Sequence, residues 1–197
     1  RSSAASDVYK RQQQLIATVN EDNNSAFDLV DVETGIVTTY HYSPDPAVSG
    51  NGGTDSIAVD HGQIFVVHSN PNDTTQPTEY LVSLDDATHI ANLQPVFFDN
   101  GTATDAVSGA TVTLALTDPD TNGLIPEWAP RFGGQLATIS QADGQIVFAS
   151  DLDSTPKLTV LSLTDNVSGN IPPIDGLAVA TADPVSYTHL RAHETGR

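Results

Sequence analysis

Short apolar strands that recur at an interval near forty residues constrain this chain more than any other feature. Val48-Ser-Gly-Asn-Gly-Gly-Thr-Asp55-Ser-Ile-Ala-Val59 returns as Val167-Ser-Gly-Asn-Ile-Pro-Pro-Ile-Asp175-Gly-Leu-Ala-Val179. Gly62-Gln-Ile-Phe-Val-Val-His-Ser69 returns as Gly144-Gln-Ile-Val-Phe-Ala-Ser150, and Leu81-Val-Ser-Leu-Asp-Asp86 as Val160-Leu-Ser-Leu-Thr-Asp165. Phe27-Asp-Leu-Val-Asp-Val32 is a weaker copy of the last. A strand places alternate side chains on opposite faces, so Ile64, Val66 and His68 are expected on one face and Phe65 and Val67 on the other. Val32-Glu-Thr-Gly-Ile36 and Ala142-Asp-Gly-Gln145 read as hairpin turns. Helix signals are poor, because apolar runs are short, β-branched residues abound and Gly and Pro punctuate the chain.

The two ends read differently. The hexapeptide from Asp7 to Gln12 and the run from Pro184 to Leu190 can both be encoded by one short DNA element read in opposite orientations. Residues 2–12 and 185–197 therefore resemble translated sequencing-library adapters, and such segments are set aside before fold reasoning. The expected organisation is an adapter-derived tail over 1–12, a repeat region over 13–184 with a long insertion loop at about 100–131, and a second such tail over 185–197. Within the insertion, 111–117 could add a strand with Val112, Leu114 and Leu116 on one face.

Charge narrows the partners. The 197 residues carry 25 acids against 7 Lys and Arg. Between the tails only Arg131 and Lys157 are basic. Such a surface repels nucleic-acid backbones and anionic lipid, so neither is expected as partner. No apolar run is long enough for a membrane-spanning helix. The absence of Cys excludes disulfides and thiol chemistry. Asp far outnumbers Glu, as suits a chain of strands joined by polar turns. Together these features suggest an extracytoplasmic protein, secreted or held in the cell envelope.

A forty-residue period of about four strands is the mark of a β-propeller blade. On the repeats quoted above, the region resembles the lactonase-like and NHL-like bacterial propellers and a group of secreted bacterial propellers. The expected fold is all-β: a partial propeller of about four blade lengths forming an open arc, with a β-sandwich as the alternative. The resemblance implies that Asp55 and Asp175, which open the innermost strands, lie near a channel mouth and bind ligand. Trp128 and Arg131, adjacent in the insertion, could clamp an anion or a sugar acid. Asp118-Pro-Asp120-Thr-Asn122-Gly123 matches the opening of a calcium loop, in which alternate side-chain oxygens converge on one hard cation. Its twelfth position is Ala129, so Glu127 would have to supply the closing carboxylate. Asp118, Asp120, Asn122 and Glu127 are thus the candidate calcium ligands. His41, His61, His68 and His89 show no zinc spacing. No nucleophile–base signature is present. The expected function is a module that binds a small molecule or a protein or acts as a scaffold. Two alternatives remain: a calcium-assisted, lactonase-like hydrolase and a structural cell-surface repeat.

Overall fold

A computed structural model describes residues 14–19, 26–46, 52–69, 73–172, 174 and 176–177. Both tails, Asp175 and parts of both copies of the Val48–Val59 pattern lie outside the described residues. Among the described residues the protein is all-β, with thirteen strands and no helix, hence none long and apolar enough to cross a membrane.

The first strands, β1 (Gln14–Val19), β2 (Ala26–Asp31) and β3 (Val37–Ser43), form an antiparallel meander. A second, four-stranded meander follows: β4 (Gly53–Asp60), β5 (Gln63–Ser69), β6 (Pro77–Asp85) and β7 (Ile90–Phe98). The two join through a short parallel pairing of β3 with β7, at His41–Ser43 against Ile90–Asn92. The result is one seven-stranded sheet in the order β1-β2-β3-β7-β6-β5-β4. It curls until its two edge strands meet, and Thr18 Oγ1 on β1 donates to the backbone oxygen of Asp55 on β4 at 3.4 Å.

The region expected as an insertion loop carries three short strands. It holds β8 (Thr102–Asp105), β9 (Thr111–Thr113) and β10 (Pro119–Leu124). Leu114 and Leu116 are buried beyond β9, and their N–H groups donate to Gly101 and Asp99. The extended 111–117 stretch therefore forms as expected. β10 pairs with β11 (Leu136–Ser140), which continues into β12 (Gln145–Ser150) and β13 (Lys157–Ser162). β13 takes β8 as a parallel neighbour, completing a six-stranded sheet in the order β10-β11-β12-β13-β8-β9.

Two apolar cores result, and β5 feeds both. Ile64 and Val66 point into the curl of the larger sheet with Phe27, Leu29, Tyr40, Val82 and Leu93. Phe65 points the other way, onto Leu136, Val147, Ala149 and Val160 of the smaller sheet. The alternation read from the sequence is therefore observed, and the middle meander is covered on both faces. The repeated motifs hold equivalent places. Phe65 and Val147, second after their Gln, lie in one core, as do Leu81 and Val160.

The hairpins share one device that the strand repeats conceal. Asp31, Asp85, Asp105 and Asp165 each open a five-residue turn of the form Asp-x-x-Thr/Ser-Gly, with His89 standing in for the last Gly once. In each, the Asp Oδ1 accepts the backbone N–H groups two and three residues on, as at Glu33 and Thr34 (both 2.9 Å) and at Val107 and Ser108 (3.2 and 2.7 Å). The fifth residue closes the turn at positive φ, from +54° at His89 to +73° at Gly109, a conformation in which glycine carries no Cβ penalty. Ionised Asp is favoured there because its charge is met by N–H dipoles. Backbone donors hold Asp31 below the usual carboxylate range, and the Ser108 side chain and backbone do the same for Asp105. The β4–β5 link is a tighter two-residue turn, His61-Gly62, with both φ angles positive as its twist requires.

Candidate functional site

Where β10 and β11 cross the middle meander, the interface turns polar. Glu79, on β6 facing the smaller sheet, is wholly buried. Asn122 Nδ2 donates to its two carboxylate oxygens at 2.5 and 3.3 Å and lies 3.4 Å from the Phe65 carbonyl. Ser56 Oγ in turn donates to Asn122 Oδ1 at 3.0 Å and accepts the Asn122 N–H at 3.3 Å. Burial pushes the Glu79 carboxyl up to about 8, against the opposing pull of Asn122 and Thr138. The carboxyl is therefore largely protonated at neutral pH, when its O–H needs an acceptor and its bare oxygen takes Asn122. Thr138 stands beside it with its hydroxyl oxygen buried and without a closed hydrogen bond.

A second buried acid sits at the end of β7. Asp99 accepts from Thr78 Oγ1 at 2.6 Å. Burial raises it to about 7; the Thr78 hydrogen bond opposes that rise, and the charges of Asp73 and Asp143 add to it. Asp143, at the β11–β12 turn, is tied to the Thr117 N–H at 2.8 Å and to Ser140 Oγ at 2.5 Å. His68 is also buried, with Nδ1 3.1 Å from the Pro77 carbonyl and Nε2 3.2 Å from that of Pro46. Burial depresses its pKa, so it is neutral and one of those contacts lacks a proton.

Among the described residues, those singled out in the sequence do not assemble into one place. Apart from Asp118, which precedes it, the stretch matched to a calcium loop lies on β10. A strand advances about 3.3 Å per residue, so alternate side chains stand roughly 7 Å apart rather than wrapping one ion. Asn122 is spent on Glu79. Asp118 accepts from Ser69 Oγ at 3.1 Å, and Asp120 from Thr121 Oγ1 at 3.2 Å. Glu127 lies exposed in the β10–β11 connection. Among the described residues no group of three or more His, Cys, Asp or Glu side chains is placed to hold a metal. Trp128 is 64% exposed. Arg131 donates to the Ala106 carbonyl and lies 4.6 Å over the Phe132 ring, which stacks on Phe148 at 3.8 Å. Its guanidinium thus pins the connection to the sheet. Asp55 sits on β4 beside a bulge between Thr54 and Ile57, and its proposed counterpart Asp175 lies outside the described residues.

One open cleft, of about 320 Å³, lies between the β4–β5 turn and the β12–β13 loop, lined by Asp60, His61, Gln63, Asp151 and Asp153 among others. Gln63 Nε2 bridges it to Asp153 at 2.9 Å, and Lys157 holds Asp151 at 2.8 Å. Sequence reasoning passed over both Glu79 and this cleft. Glu79 had a signal, as the lone acid in Pro77-Thr-Glu-Tyr-Leu-Val, where its face partner Leu81 is apolar. No family model matches the sequence, and no curated protein matches it either.

Proposed function

We propose that the chain is a binding or scaffold module of an extracytoplasmic repeat protein. One observation carries the reading: the carboxyls with the most altered proton affinity, Glu79 and Asp99, are sealed between strands and used to join them. A catalytic acid or base must reach its substrate; these two reach only Asn122, Thr138 and Thr78. Many of the surface carboxylates are already occupied by turn N–H groups or by neighbouring side chains. A ligand of the acidic surface is expected to be neutral or cationic. The test is a panel of lactone and ester substrates with and without millimolar calcium, alongside thermal melting in the same buffers. The module reading expects no turnover above buffer and no calcium-dependent rise in Tm. Calcium-dependent hydrolysis abolished by Asp118→Asn would overturn it in favour of the lactonase-like hydrolase.

For the architecture we propose the open propeller arc. It is supported by the middle meander being covered on both faces and by the first two meanders stacking in the same sense. With Gln14 aligned to Gln63, Ile16 packs toward the middle meander, and its counterpart Phe65 packs toward the next sheet. The β-sandwich has an observation of its own: Phe65 and Val147 occupy equivalent positions yet meet across one core, as in two layers facing each other. Spin-label distances among β2, β6 and β12 separate the two, since blades fan about an axis and sandwich layers do not.

A further inference from the structure

The polar seam holds the parts of an acyl transfer within the protein itself. Asn122 and Thr138 stand opposite one another in the register of β10 and β11, so their side chains share the face turned to Glu79. Glu79, Thr138 and Asn122 are 0%, 1% and 6% exposed, which keeps water from competing with the Thr138 hydroxyl. That hydroxyl stands close enough to Glu79 to oppose the rise of its carboxyl, yet closes no hydrogen bond of good geometry. The amide opposite is held at both ends. Asn122 Nδ2 donates to the Glu79 carboxyl at 2.5 Å, and Oδ1 accepts from the Ser56 hydroxyl at 3.0 Å.

A hydroxyl attacks a carbonyl carbon when a base takes its proton, a donor holds the oxygen and an acid follows the leaving group. Glu79 touches both the hydroxyl and the amide nitrogen, so one carboxyl can take the proton from the first and hand it to the second. Ser56 already donates to the oxygen on which charge would gather. Reach is adequate too. A bond from Thr Oγ1 to Asn Cγ leaves two atoms between the Cβ atoms, as a disulfide does, and disulfides span about 3.5–4.5 Å at Cβ. Opposite residues on antiparallel strands stand about 4.5–5.5 Å apart there, and β10 has an irregular register close by, between Pro119 and Thr121.

We propose that Thr138 Oγ1 and Asn122 Cγ join as an ester, a self-made cross-link between β11 and β10 formed with loss of ammonia. Ionised Glu79 takes the Thr138 proton, and the freed Oγ1 electron pair forms the C–O bond. The tetrahedral oxygen rests on Ser56. As the intermediate collapses, the Cγ–Nδ2 bond breaks and Nδ2 leaves as ammonia with the proton that Glu79 returns. Nothing is oxidised, and Glu79 ends as it began. Escape of ammonia into water, where it is protonated, draws the exchange forward. The proposal goes beyond the module reading and holds or fails independently of it.

Mass spectrometry of the denatured full chain tests it. The expected mass is lower than that of the sequence by one ammonia. Trypsin cuts after Arg131, between the two residues. The fragments ending at Arg131 and at Lys157 should therefore stay joined under denaturing conditions and separate in mild alkali. Thr138→Ser should keep the link. Thr138→Val and Glu79→Gln, which preserve shape, should each give the unmodified mass and separate fragments, with a β-sheet circular dichroism spectrum showing that they fold. Should either fail to fold, the wild-type digest still decides, because unjoined fragments overturn the proposal. An unmodified wild-type mass, a loss of water in place of ammonia, or an ammonia loss that survives Thr138→Val, as an imide between Asn122 and Gly123 would, overturns it as well.

Discussion

The hairpin tips and the intersheet seam use the same functional group in opposite ways. At the tips, Asp31, Asp85, Asp105 and Asp165 lie at the surface, ionised and satisfied by N–H groups a few residues along the chain. In the seam, Glu79 and Asp99 are buried, resist ionisation and bond to side chains far away in sequence. The tips make carboxylates a local device for turning the chain. The seam makes carboxyls a long-range device for registering two sheets, at the cost of taking a titratable group out of water. Desolvation decides the difference, because the four tip aspartates lose little hydration while Glu79 loses all of it.

The seam should be the more fragile of the two. Phe65→Ala, beside the polar knot, is expected to cost about 3–5 kcal/mol by emptying the centre of the intersheet core, read from urea unfolding. Asn122→Leu should cost about 2–3 kcal/mol, because it strands a buried carboxyl without its donor. The double variant Glu79→Leu with Asn122→Leu should recover much of that loss, and failure to recover it would show that the pair does more than satisfy itself.

The pH dependence sharpens the same contrast. A group whose folded pKa is raised stabilises fully below its unfolded value and ceases to as pH climbs through the folded value. Glu79 and Asp99 therefore make stability fall between about pH 4 and 8. The tip aspartates, with depressed values, make stability fall as pH drops below about 4. Melting temperature should thus peak near pH 4–5, and Glu79→Gln should flatten the alkaline side while leaving the acid side intact. The smallest effect belongs to a single tip: Asp105→Ala should lower Tm by less than any seam variant, and Thr or Ser four positions into a turn should matter less still.

Much of the fold is legible in the sequence because it is local. Strict alternation assigns Ile64 and Phe65 to opposite faces, and Asp-Gly at 143–144 and Glu-Thr-Gly at 33–35 mark real hairpins. The parallel pairings of β3 with β7 and β13 with β8 leave no such trace, since they depend on where whole meanders dock. The candidate site was less legible for a related reason. Asp-x-Asp-x-Asn is the spacing of a calcium loop, but it is also the spacing of one face of a strand. Only the partner across the seam between the sheets, Glu79 for Asn122, shows what that side chain does here. The insertion read at 100–131 similarly hides strands behind Thr, Asp and Gly, residues whose local preferences favour turns until Leu114 and Leu116 find a core.

The meeting of β1 with β4 has a consequence for how the protein behaves in a crowded solution. An open sheet of seven strands would offer two bare ladders of N–H and C=O groups, templates onto which any extended chain could grow. By bending round until Thr18 reaches the Asp55 carbonyl, the sheet turns those ladders toward each other. Fibril-like addition at these borders is thereby discouraged by shape, in a molecule that has no covalent clasp to do it.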